Sequence, residues 1–168
     1  MAPLVTCGHE AYKTPLGPIP IDRQAVDDLD ERLESALGFG LTPVRNDSEH
    51  ALEIQLPFLQ HALDAEFTLL PVMMRDQSEE TTAALGQALA QTLEGQNALL
   101  VASTDLSHFH SQETARELDG EFLRRLENYD PAGLLRGEKE GKTAACGRVA
   151  VATVLWAGKH LGADSVNV

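Results

Sequence analysis

The sequence has few cysteines, few positive charges and no long apolar run, and each shortage excludes a class of protein. Its two cysteines, Cys7 and Cys146, lack the repeated spacing of a disulfide framework. Only 13 basic residues accompany 26 acidic ones, so the net charge of −13 repels nucleic acids and anionic lipids. No apolar run approaches the roughly 20 residues that cross a bilayer, and no secretory signal is recognisable. We therefore predict a cytoplasmic protein without nucleic-acid or membrane partners.

The remaining composition is that of an ordinary globular protein. Apolar residues make up 43% of the 168, which is enough for one core. Signals for strands and helices alternate along the chain without an internal repeat. We therefore predict a single α/β domain over residues 1–168, with a mixed, largely buried sheet flanked by helices.

The segment Asn97–His110 is central to this prediction, because an apolar run ends there in reactive side chains. Residues Ala98–Ala102 are short and apolar, which is typical of a strand buried on both faces. Asp105 and His108 follow at the carboxyl end of that strand, where ligands collect in open α/β sheets. A carboxylate and an imidazole bind metals and move protons, so we expect the chemistry here.

Apolar periodicity and capping residues predict further elements. Helices are predicted to begin at three capping positions, Asp22, Ser111 and Asp130, and a further amphipathic helix is predicted at Ser78–Leu93. Short strands are predicted at Val5–Cys7 and Phe67–Met73. The run Gly162–Val168 begins like a strand and has no closing turn, which suggests a chain cut short.

Another helix is predicted to follow a cap at Asp47 or Ser48, through the sequence EHALEIQLPFLQHAL. Its first turns place Glu49, His50 and Glu53 on one face, because residues three and four apart are neighbours on a helix. Such a group is a solvated surface in most helices. The alternative is a functional acid–histidine pair, and the sequence alone leaves both open.

The run Thr143–Lys159 is apolar around its whole circumference and predicts a central helix. If Thr143 caps this helix, Cys146 lies in the first turn, where free N–H groups and the helix dipole favour a thiolate. A buried structural cysteine is the alternative. Gly147 allows another part of the backbone, or a ligand, to approach closely.

Four stretches in this order resemble the Memo family, also called protein B of the AmmeMemoRadiSam system, which is related to class III extradiol dioxygenases. These stretches are YKTPLG, DSEHALEIQLPF, STDLSHF and ACGR. The resemblance implies an α/β fold and a metal site built from two N-terminal histidines and one cysteine. Cys146 matches that cysteine, and Asp105 and His108 match the acid and histidine beside the site. Glu49 and His50 match the family's E-H pair.

Two parts of the family pattern have no counterpart in this chain. The N-terminal motifs that carry the two histidines are missing before Thr14, and the closing strands are missing after Val168. We therefore expect a class III extradiol dioxygenase-like domain that is incomplete at both ends. Iron or copper is expected in the full-length protein, and no metal is expected to be held by this chain alone. An uncovered apolar face is expected to cause self-association.

Three functions remain open on these grounds. The first is an oxygenase-like oxidoreductase, in which Cys146 is a metal ligand while Asp105, His108, Glu49 and His50 are catalytic. The second is a non-catalytic scaffold that holds a small molecule or peptide in its cleft. The third is a cysteine hydrolase, with Cys146 as nucleophile and His108 as its base. For the first function, we expect all five side chains to converge on one cleft.

Overall fold

The computed structural model describes residues 2–63 and 65–168, and the chain divides into two compact units, Met1–Asp76 and Gln77–Val168. Small sheets occur together with helices, which confirms the predicted mixed α/β fold class. A single domain over the whole chain stays a prediction. In the part of the chain that the structure describes, no helix has the length and apolar character needed to cross a membrane.

The first unit is built around a buried strand, β1 (Leu4–Cys7), all four residues of which are buried. It pairs in parallel with β4 (Thr42–Val44) and antiparallel with β5 (Met73–Met74), giving a mixed sheet in the order β4-β1-β5. The predicted strand at Val5–Cys7 is thus confirmed. The predicted strand Phe67–Met73 is wrong over most of its length, since only its last residue belongs to β5.

A hairpin and a helix complete the amino-terminal part of this unit. Strands β2 (Ala11–Thr14) and β3 (Gly17–Pro20) form a two-stranded antiparallel sheet. Helix α1 (Arg23–Leu37) begins as predicted, because the Asp22 carboxylate accepts the backbone N–H of Ala25 at 3.0 Å. The helix ends at Gly38, whose φ of 76° is easily adopted only without a side chain.

The helix predicted to follow Asp47 or Ser48 begins later in the sequence than expected, so the prediction is wrong for the first turns of that helix. Residues 47–50 have no regular secondary structure, residues 51–52 form a turn, a 3₁₀-helix spans Glu53–Gln55, and helix α2 runs only from Leu56 to Ala62. Pro57 lies in the first turn of α2, where its missing N–H is tolerated. Glu49 and His50 therefore precede the helix and do not share a face of it.

The second unit consists of four helices and the segments between them: α3 (Glu79–Thr92), α4 (Gln112–Glu127), α5 (Pro131–Lys139) and α6 (Arg148–His160). The first three are capped by the side chains of Ser78, Ser111 and Asp130, each of which accepts a backbone N–H three residues on. The predicted caps Ser111 and Asp130 and the predicted helix from Ser78 are thus confirmed. Phe122, Leu134, Ala145 and Leu155 form a buried core between α4, α5 and α6.

Two strand predictions in this unit are wrong. Ala98–Ala102 forms no strand, and the side chains of Leu99 and Val101 are exposed rather than buried. Gly162–Val168 also forms no strand. All the strands of the described residues lie in the first unit, so neither run has a neighbouring strand in its own unit to complete its hydrogen bonds.

Candidate functional site

The loop after Ala102 and the turn before α6 are brought together by one apolar core. Leu106 packs against the core cluster, and Ala145 belongs to it. Each of these residues has a polar neighbour in sequence, namely Asp105 and Cys146. Packing of the two apolar side chains in one core therefore holds these polar neighbours side by side, although they are 41 residues apart. The backbone N–H of Ser107 donates to the Asp119 carboxylate of α4 at 2.9 Å and fixes the same loop.

Cys146 and Asp105 contact each other mainly through the Asp105 backbone. The N–H of Asp105 donates to the Cys146 sulfur at 3.2 Å, and the N–H of Cys146 donates to the Asp105 carbonyl at 3.3 Å. Cys146 is nevertheless an exposed, free thiol. The alternative of a buried structural cysteine at this position is wrong, whereas Cys7 is buried.

Gly147 allows the two segments to approach this closely. A Cβ atom on Gly147 would lie 2.2 Å from the carbonyl oxygen of Ser103 and 2.6 Å from the Cβ of Thr104. Side-chain-bearing residues do not tolerate such distances. The Gly147 N–H instead donates to the Thr104 hydroxyl at 2.9 Å. The sequence predicted that another part of the backbone, or a ligand, approaches Gly147 closely. In the structure, this is the backbone of the loop that contains Asp105.

His108 joins the group through the Asp105 side chain. The imidazole Nε2 lies 3.3 Å from an Asp105 carboxylate oxygen, and both side chains remain substantially exposed. The backbone of Asp105 contacts the thiol while its carboxylate contacts the imidazole. Cys146, Asp105 and His108 thus form one continuous cluster, which we call the Cys146 cluster. Within the described residues, no hydrogen bond joins His108 to the thiol directly.

The predicted capping of α6 by Thr143 is wrong. The helix begins at Arg148 with Gly147 in the capping position and without a side-chain cap. Cys146 therefore lies immediately before the helix rather than in its first turn. Thr143 is buried, and its hydroxyl has no hydrogen-bond partner among the described residues. The apolar run indicated a helix correctly, but it did not fix where the helix starts.

Glu49 and His50 lie in the first unit, in an exposed segment without regular secondary structure. One Glu49 carboxylate oxygen accepts the backbone N–H groups of Ala51 and His50, each at 2.8 Å. These two bonds, with Ala51 contributing most, hold the pKa of Glu49 below its usual value. Whether the Glu49–His50 pair shares a cleft with Cys146 stays a prediction.

Several residues within the matched motifs make contacts or line a cavity that the sequence did not predict. In the second unit these are Thr104, which binds the Gly147 N–H, and Phe109, which follows His108 with a fully exposed ring. In the first unit, Tyr12 and Glu53 line a cavity of about 290 Å³. The strained backbone of Phe109 leaves no signal in the sequence. The sequence indicated a close approach at Gly147, but it did not indicate that Thr104 is the residue approached.

The described residues do not supply a complete metal site. They contain no group of three or more histidine, cysteine, aspartate or glutamate side chains that could hold a metal ion. The Cys146 thiol is exposed, and its thiolate form is a soft ligand suited to copper or to iron. A metal at Cys146 would therefore not be held by three such side chains of the described residues.

Comparison with known proteins gives a consistent result. A family model described as "Memo-like protein" matches residues 3–168. A MEMO1 family protein of Methanosarcina mazei is 33% identical over 166 residues, which are 98% of this chain and 60% of the relative. A MEMO1 family protein of Thermotoga maritima is 32% identical over 145 residues, which are 86% of this chain and 51% of the relative. The chain thus spans between about half and 60% of the length of these curated relatives.

Proposed function

This chain belongs to the Memo-like protein family, and from that premise we propose that it is an oxygenase-like oxidoreductase in which Cys146 is one ligand of an iron or copper ion. The observation that supports the proposal is the Cys146 cluster. An exposed thiol is held by backbone hydrogen bonds beside an aspartate–histidine pair. A redox metal bound there would supply electron transfer and the activation of a small oxidant.

The residues of the chain have separate roles in this proposal. Asp105 orients His108, since its carboxylate contacts the imidazole Nε2 at 3.3 Å. His108 is exposed enough to take a proton from a bound substrate or to return one. Thr104 and Gly147 hold the thiol against the loop that carries both groups. The proton-moving pair and the thiol are therefore kept on adjacent segments of the chain.

The same geometry gives less support to a cysteine hydrolase. That mechanism needs the base within hydrogen-bonding distance of the nucleophile, so that the thiol proton can be transferred. In the described residues, Cys146 contacts the backbone of Asp105, and His108 contacts its carboxylate. The scaffold alternative requires no particular chemistry of the thiol, so a metal test separates it from our proposal.

Titration with Co²⁺ tests the ligand role of Cys146 on the chain as it is. Coordination of a thiolate to Co²⁺ gives a sulfur-to-metal charge-transfer absorption. We expect this absorption at high Co²⁺ concentration, its loss in Cys146→Ala and its retention in Cys7→Ala, because Cys7 is buried. Absence of the absorption, or its survival in Cys146→Ala, would contradict the proposal.

Metal retention after dialysis tests how complete the site is. We expect this chain to lose iron and copper on dialysis, because the described residues contain no group of three or more candidate ligands and water is a poor substitute for such ligands. Elemental analysis measures the outcome. One retained equivalent that disappears in Cys146→Ala would show that the chain assembles a complete site.

A further inference from the structure

Phe109 combines two features that are unfavourable in a folded protein. Its φ of 61° lies in the left-handed region, which bulky side chains rarely adopt. Its side chain is also fully exposed, so burial of the ring does not offset the cost of that backbone conformation. Strained residues of this kind concentrate at ligand-binding and catalytic sites. Phe109 directly follows His108 of the Cys146 cluster.

The ring of Phe109 forms a corner with the His108 imidazole. The two ring centroids are 5.9 Å apart, and the ring planes are inclined at 63°. A flat group that stacks on the phenyl ring would lie near the imidazole, because offset stacking and edge-to-face contacts are the favoured arrangements of rings. The imidazole in turn contacts Asp105, whose backbone N–H contacts the thiol. A ligand in this corner would lie beside the groups proposed to move protons.

We propose that Phe109 is a substrate-contacting residue that selects substrates with a flat, unsaturated or aromatic ring. This inference rests on the proposed function, since it takes the Cys146 cluster as the reacting site. In this proposal, the strained backbone of Phe109 holds the phenyl face towards the ligand. A saturated, puckered ring would lose the stacking contact and would bind less well.

Selective alkylation of Cys146 provides a test that needs neither a metal nor a known substrate. N-phenylmaleimide and N-cyclohexylmaleimide carry rings of similar size, one flat and one puckered, and both add to a thiolate across the same double bond. The ratio of their second-order rate constants is measured for the folded protein and divided by the ratio for glutathione. We expect a normalised ratio of about 2 to 12, which is the factor that a favourable aromatic pair contributes.

Three variants make the test specific to Phe109. Phe109→Leu should bring the ratio close to 1, and Phe109→Trp should preserve it, because tryptophan restores a stacking face. Leu161→Ala is the control, since Leu161 is also exposed but lies in the same unit at the opposite end of α6 from Cys146. Its ratio should equal that of the parent. Peptide mass spectrometry verifies that Cys146, rather than the buried Cys7, is modified.

A parent ratio near 1, or a ratio unchanged in Phe109→Leu, would overturn the inference. Circular dichroism confirms that each variant is folded, and the exposed ring of Phe109 makes loss of folding by Phe109→Leu unexpected. The outcome is independent of the Co²⁺ titration. Failure of the alkylation test alone would remove Phe109 as a selecting residue, and failure of the titration alone would remove the metal.

Discussion

Substitution of Gly147 by alanine should disrupt the Cys146 cluster more than its single added methyl group suggests. The new Cβ would lie 2.2 Å from the Ser103 carbonyl oxygen and 2.6 Å from the Thr104 Cβ, so the loop must move away from the start of α6. Overpacking of this kind costs about 1–3 kcal/mol. The hydrogen bond from the Gly147 N–H to the Thr104 hydroxyl would also weaken, which adds about 1 kcal/mol. We expect the free energy of unfolding to fall by roughly 2–4 kcal/mol.

Urea denaturation measures this change, and a second glycine provides the control. Gly120 lies in α4, and a Cβ there would meet no atom within 4 Å. Gly120→Ala should therefore raise the free energy of unfolding by about 0.5–1 kcal/mol, the helix-forming advantage of alanine. In Gly147→Ala the Asp105 N–H should also separate from the thiol, and the rate of Cys146 alkylation should change. A Gly147→Ala variant as stable as the parent would refute the close-approach argument.

Three further predictions follow from backbone strain and from shifted pKa values. Phe109→Gly should raise the free energy of unfolding by about 1 kcal/mol in urea denaturation, because glycine adopts a φ of 61° without strain. Hydrogen bonds from Arg124 and then Arg125 lower the pKa of Glu121 from 4.5 to about 2. The stabilising effect of the Glu121 carboxylate is therefore present above pH 4.5 and is lost as the pH falls towards 2. Acid denaturation of Glu121→Gln should show a weaker pH dependence in that window. Burial raises the pKa of both tyrosines, Tyr12 and Tyr129, above 10, so phenolate absorbance should develop at higher pH in the folded chain than in urea.

The helices were predictable from the sequence because their signals are local. Asp22, Ser78 and Ser111 each bind a backbone N–H only three residues away, so the capping residue and its target occur in one short stretch. The apolar stripe of α1 is equally local, and its residues Val26, Leu29 and Leu33 are buried. Such elements do not depend on the rest of the chain for their identification.

The strands were less predictable because a strand is defined by a partner elsewhere in the sequence. Ala98–Ala102 has the composition of a buried strand, but in the described part of its unit no other strand exists to pair with it. In the first unit, β1 is confirmed as a strand because β4 and β5 supply partners on both sides. An apolar run alone does not show whether such partners are present.

The Cys146 cluster shows the same limit at the level of the site. Its residues could be selected by their chemistry and by a family resemblance, but their meeting depends on Leu106 and Ala145 packing against one core. Neither motif contains that information. The role of Gly147 was partly predictable, because a glycine beside a reactive residue indicates close approach. Only the structure shows which part of the backbone approaches Gly147.

Thr143 provides a direct test between the sequence-based and structural accounts of this turn. If Thr143 caps α6, replacing its hydroxyl should cost about 1 kcal/mol of stability. In the structure, α6 begins at Arg148, and the buried Thr143 hydroxyl has no partner among the described residues. An unpaired buried hydroxyl opposes folding, so Thr143→Val, which keeps the shape, should leave the free energy of unfolding unchanged or raise it by up to about 1–3 kcal/mol. Ser78→Ala is the matched control, because Ser78 does cap α3 and its loss should cost about 1 kcal/mol. If both variants lose similar stability in urea denaturation, the Thr143 hydroxyl is bonded in solution and the start of α6 lies earlier than Arg148.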